Sequence, residues 1–134
     1  MTVKELSQLY YLNREIEADQ QRLDELELLV SSPKSPNYDG MPHAPGYSDS
    51  LSRMVAEIVD LKALIAAKQI QRIRERNRLE RYISSIPDSL TRQIFALRFI
   101  NGLNWYQTAM HVGGGNTEDS VRQRVYRYLK STQE

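Results

Sequence analysis

The chain has 134 residues, 40% of them apolar and 26% charged, with 18 basic against 17 acidic groups. That length suits one domain, or a domain with an extension, and a modest core; the balance suits a soluble globular or helical chain. Zero cysteines exclude a disulfide framework, a thiolate zinc site and a cysteine nucleophile. No apolar run nears the roughly 18 residues of a membrane span, and no basic region followed by a hydrophobic signal core opens the chain. The expectation is therefore an intracellular protein without membrane contact.

Charge is unevenly spread. Residues 1 to 30 carry 3 basic and 7 acidic groups, residues 68 to 81 carry 6 and 2, and residues 90 to 134 carry 6 and 3. The chain is acidic at its start and basic towards its end.

From about Val3 to Val30 there is no glycine or proline, and Leu9, Leu12, Ile16, Leu23, Leu26 and Val30 are spaced 3, 4, 7, 3 and 4 apart. The spacing predicts a helix of about seven turns with a coiled-coil-like seam. Asp19 occupies the missing heptad position. It is either a polar group that sets register or partner, or a residue at an exposed part of a short seam, and the second is the simpler reading.

Residues 31 to 50, SSPKSPNYDGMPHAPGYSDS, hold four of the five prolines and two of the six glycines and read as a linker, mobile or folded back over the helices. Its prolines and tyrosines could dock an aromatic groove, although a passive loop is simpler. His43, alone, is no metal site.

A second long helix is predicted from about Asp49 or Ser50 to Ser84. Leu51, Met54, Ile58, Leu61 and Ile65 repeat the seam, and Ile73, Leu79 and Ile83 continue it less regularly. The two helices most simply form a long antiparallel hairpin over residues 1 to 86. In the stretch KQIQRIRERNRLER, about half of Lys68, Arg72, Arg74, Arg76, Arg78 and Arg81 are expected to pair with Glu5, Glu15, Glu17 and their neighbours. The remainder are expected to meet phosphates.

Residues 87 to 134 read as a head of three short helices. The first begins near Pro87 and Asp88, with Leu90, Ile94, Leu97 and Ile100 at helical spacing, Phe95 and Phe99 beside them, and Gly102 as its stop. The second opens at Asn104, with Gln107 in the place of a capping-box partner and Trp105, Ala109 and Val112 facing inward. Gly113 to Gly115 form the turn. Asn116 or Thr117 caps the third helix, which has Glu118 and Asp119 in its first turn. Stepping around this helix puts Val121, Val125, Tyr128 and Leu129 on one side and Asp119, Gln123 and Arg127 on the other, with Arg122 and Arg124 flanking the apolar stripe. An apolar back with arginine flanks, presented after a tight turn by two packed helices, is what a helix-turn-helix requires.

The same residues carry a resemblance. Leu97-Arg98-Phe99-Ile100-Asn101-Gly102-Leu103-Asn104-Trp105 resembles the LRY-x-x-G-x-S-W stretch of region 4 of the sigma-70 factors. Ser120-Val121-Arg122-Gln123-Arg124, followed by Arg127, Leu129 and Lys130, resembles that family's T-V-[KR]-x-R recognition helix. The whole chain is similar to small phage or prophage proteins of Firmicutes in the sigma-region-4-like group, which includes the ArpU and RinA type regulators. Gln107-Thr108-Ala109 stands where the family has E-I-A, and the glycine turn is about two residues longer than usual.

The resemblance implies an all-α DNA-binding transcription regulator working in the cytoplasm of a bacterial host. Its recognition helix would span about 117 to 130. Arg122, Arg124, Arg127 and Lys130 would serve phosphates or guanines, and Asn116, Thr117, Ser120 and Gln123 would be offered to base edges. Glu118 and Asp119 would cap the helix or accept from cytosine, the cap being the simpler role. Double-stranded DNA is the expected partner, with RNA polymerase a further one, and the hairpin is expected to build a homodimer or higher homo-oligomer.

Two rivals stand beside this reading. One is a small-terminase-like packaging accessory, marked by a ring; the other is a protein-interaction module acting on RNA polymerase without DNA. Catalysis is not expected. The glycine run lacks the Lys-Ser or Lys-Thr of a P-loop, His111 is isolated, and no serine has a histidine and an acid at a recognised spacing. No cofactor or metal is expected.

Overall fold

A computed structural model describes residues 1–32 and 45–133, and among them the chain is all-α, with no strand. In order come α1 (Val3–Leu6), α2 (Gln8–Ser31), α3 (Pro45–Ser84), α4 (Ser89–Phe95) continuing into a π turn (Ala96–Ile100), α5 (Trp105–Val112) and α6 (Glu118–Thr132). They divide into two compact units. One, the head unit, joins Met1–Asn13 to Gln71–Glu134; the other, the paired-helix unit, is Arg14–Ile70. The boundary read from sequence at residue 86 does not coincide with this division. Most of the loop expected at 31 to 50, including His43, lies outside the described residues.

The helix expected to run unbroken from Val3 breaks at Ser7. Its hydroxyl donates to the Val3 carbonyl at 2.8 Å, competing for the acceptor that continues the ladder. The helix expected from Asp49 or Ser50 starts instead at Pro45. Proline at a first helical position lacks only an N–H that would be unpaired there, so a residue that marked a linker by composition opens a helix.

In the paired-helix unit the predicted seam is inside: Ile16, Leu23 and Leu26 are buried on α2, and Ile65 on α3. The cross-links set direction. Lys68 meets Asp19 at 2.6 Å and Glu15 at 3.7 Å, whereas Arg22 and Glu27, further along α2, meet Glu57 at 3.4 Å and Lys62 at 3.3 Å. Within this unit the two segments therefore run in opposite directions. Asp19 is not at an exposed part of the seam. Its side chain is 21% exposed and held by Lys68, because a carboxylate among apolar neighbours needs a counterion.

The head unit is built on one core in which Leu6 and Leu9 pack with Leu79, Ile83, Ile86, Ile94, Phe95, Phe99, Ala109, Val121, Val125 and Leu129. Phe95 is its centre, with Phe99, Tyr128 and Tyr82 at ring distances of 5.5, 5.6 and 6.2 Å. The buried face of α4 differs from the expected one. Thr91, Ile94, Phe95 and Phe99 are inside, and Leu90, Leu97 and Ile100 flank them. The two large aromatics gain most from burial, and Thr91 joins them because Asp88 satisfies its hydroxyl at 2.7 Å.

Candidate nucleic-acid interface

The site begins with the segment that delivers α6. Asn104 caps α5 in a complete capping box with Gln107, and α5 stops at Gly113. Gly113, Gly114 and Gly115 have φ of 66°, 62° and 79°, a left-handed run that residues with a Cβ avoid. Asn116 then turns its side-chain amide back to the Gly113 carbonyl at 2.8 Å. Thr117 is the cap of α6, paired with Ser120 in a second capping box, and Glu118 and Asp119 favour the positive end of the helix. α6 forms here because both ends of the turn are satisfied and one stripe of it is apolar.

Val121 and Val125 are wholly buried and Leu129 is 4% exposed, so α6 is fixed by its back. Its outer side is polar: Thr117, Ser120, Gln123, Arg124, Arg127 and Lys130 are exposed, and Asn116 and Arg122 half-buried. Asn116, Ser120, Gln123, Arg124 and Arg127 converge with Thr91 on an open groove of about 510 Å³. Arg122 pairs with Asp119 one turn back, and Arg127 donates to the Gln123 side-chain Oε1 at 3.4 Å. Arg124 reaches across to Asp88 at 3.2 Å.

Of the residues expected to read bases, Gln123 stands free of the turn. Asn116, Thr117 and Ser120 instead spend side-chain groups on the turn and cap, with the Thr117 amide donating to the Ser120 hydroxyl at 2.8 Å. Thr91 is a groove residue that sequence reasoning missed, as it missed the role of Asp88, which binds both Thr91 and Arg124 of the groove lining. Asp88 and Thr91 lie some thirty positions away from α6, and nothing local marks their link to it. Asp88 accepts from the Thr91 hydroxyl and amide, and these bonds, with Arg124 and Arg92 beside them, hold its carboxyl below the usual carboxylate range.

The basic stretch of α3 is arranged differently from expectation. Two of its arginines in the head unit find acidic partners on their own helix rather than on the acidic first one: Arg76 meets Glu80 at 3.0 Å, and Arg78 meets Glu75. Arg78 also donates to the Glu5 backbone carbonyl at 3.2 Å, but not to its carboxylate. Lys68 alone fulfils the expected pairing. Arg72 and Arg74 have no ion-pair partner among the described residues.

Among the described residues, no cluster of histidine, aspartate and glutamate is placed to hold a metal ion, and no helix is long and apolar enough to cross a membrane. No protein-family model matches the chain, and neither a curated protein nor a solved structure shows significant similarity to it.

Proposed function

We propose that this chain is a sequence-specific DNA-binding protein in which α5, the glycine turn and α6 act as a helix-turn-helix and α6 enters the major groove. The observation that carries the reading is the two-sidedness of α6. Val121, Val125 and Leu129 lock one side into the head core, while Gln123, Arg124, Arg127 and Lys130 stand on the other beside an open polar groove. A rigidly backed helix with cations and amide groups outward suits phosphate and base-edge contacts. Arg124, held by Asp88, is pre-positioned rather than loose, which lowers the entropy lost on contact. The likeness of Leu97–Trp105 and Ser120–Lys130 to sigma region 4 supports a transcription regulator of phage or prophage origin, acting at a promoter or operator. The opposed α2 and α3 segments form the expected antiparallel hairpin in this reading.

The test is binding to a random-sequence duplex library, with selection over several rounds, followed by titration of the enriched site. Arg124→Ala combined with Arg127→Ala is expected to weaken binding about tenfold or more and to flatten its salt dependence, with helicity unchanged. An unaltered affinity removes α6 from the interface.

One observation favours a second reading. Tyr106 and Met110, one turn apart on α5, are 61% and 65% exposed, an apolar surface suited to a protein partner such as RNA polymerase. In that case the library shows no binding even at low salt.

A further inference from the structure

Helix α3 carries two apolar arcs within the paired-helix unit. Leu51, Met54, Ile58, Leu61 and Ile65 form one, half-buried to buried in the structure. Stepping about 100° per residue, Val55, Val59, Ala63, Ala66 and Ile70 form a second, turned from the first by about a third of a revolution. The second arc is exposed along its length, with Val59 at 61% and Ile70 at 54%. A helix that is apolar over both arcs has more apolar surface than one neighbouring helix can cover.

The order of residues on the exposed arc states what would cover it. About a midpoint between positions 62 and 63 the pattern is close to palindromic: Val55 mirrors Ile70, Val59 mirrors Ala66, and Ala63 lies beside the centre. A two-fold axis at that midpoint sets an antiparallel α3 of a second copy with bulky residues at both ends and alanines near the middle. Small central side chains let two helix axes approach closely. The arc is then its own complement, which is the requirement of an isologous interface. Lys62, the one cation at the centre, does not block the approach, because its ammonium is drawn to Glu27 on α2 at 3.3 Å.

We infer that this chain forms a two-fold dimer through an antiparallel contact of α3 with α3 over Val55 to Ile70. The inference stands apart from the DNA-binding reading and does not depend on it.

The full chain is expected to sediment at twice its mass of 15.6 kDa. Val59→Glu combined with Ala66→Glu is expected to halve that mass while leaving helicity unchanged, since both positions are exposed within one chain. The absence of native cysteine allows register to be read directly. Ala63→Cys alone, near the axis, is expected to oxidise to a covalent dimer. Val55→Cys alone does not, but an equal mixture of Val55→Cys and Ile70→Cys does. A monomer at the highest soluble concentration, a ring, a dimer that survives the double glutamate variant, or self-linking of Val55→Cys would each overturn the proposal.

Discussion

The Asp88 carboxylate caps α4 through the Thr91 amide and hydroxyl and also accepts from Arg124 on α6, so one acidic side chain sets both the start of one helix and the pose of a cation on another. Because the folded state holds its pKa below the ordinary value of 3.8, the stabilisation is fully present above that value and is lost as the pH falls through the depressed one. Asp88→Ala should lower the thermal midpoint by a few degrees at pH 7, and the gap from the parent should narrow as the pH falls below 3.8, as followed by circular dichroism. Arg98 also braces a junction. Its guanidinium donates to the Leu103 carbonyl at 2.9 Å and lies 4.7 Å from the centre of the Trp105 ring, joining the end of the π turn to the start of α5. The arginine of the Leu97–Trp105 stretch is thus used inside the head. In the other unit, the hydrogen bond to Asp19 raises the Lys68 pKa.

At the scale of elements, the connection between α5 and α6 rests on backbone conformation more than on contacts. Gly113 combines φ 66° with ψ −148°, a region open essentially to glycine alone, whereas Gly114 and Gly115 need only a left-handed φ. A Cβ at Gly113 would meet nothing within 4 Å, so crowding is not the obstacle. Gly113→Ala is therefore expected to cost about 1–3 kcal/mol through strain alone, measurable by denaturant unfolding. Reduced duplex binding at protein concentrations where the variant is folded would show that the turn also aims α6. The π turn acts similarly at the end of α4. The Asn101 amide bonds the Ala96 carbonyl five residues back, and Gly102 at φ 73° then reverses the chain so that Asn104 can cap α5.

For the whole molecule, the head unit is not the C-terminal third by itself. Leu6 is completely buried and Leu9 nearly so, in the same core as Val121 and Val125, and Arg78 of α3 reaches the Glu5 carbonyl. Leu6→Ala should destabilise the head by about 2–5 kcal/mol although it lies more than a hundred positions from α6. The check is hydrogen exchange in α5 and α6, whose protection should fall with the global stability. Unchanged protection there would mean that residues 87 to 134 fold independently.

Several features follow from local sequence alone. The seam of α2 was readable because leucines at heptad spacing have one helical face, and the capping box of α5, the glycine turn and the buried stripe of α6 were readable because each is set by residues close to one another in the chain. What only the tertiary structure decided involves residues far apart in the chain. Asp19 looked like an exposed gap until Lys68 arrived as its counterion. The buried face of α4 takes in Thr91, whose hydroxyl Asp88 satisfies, and so differs from the expected apolar stripe. The arginines of α3 could pair with acids on either long helix, and for Arg76 and Arg78 the partners one turn away on their own helix won because they need no alignment between helices. The placing of Leu6 in the head core, and of Arg124 beside Asp88, depends on the path of the whole chain, since local periodicity identifies an apolar or charged face without identifying what lies against it.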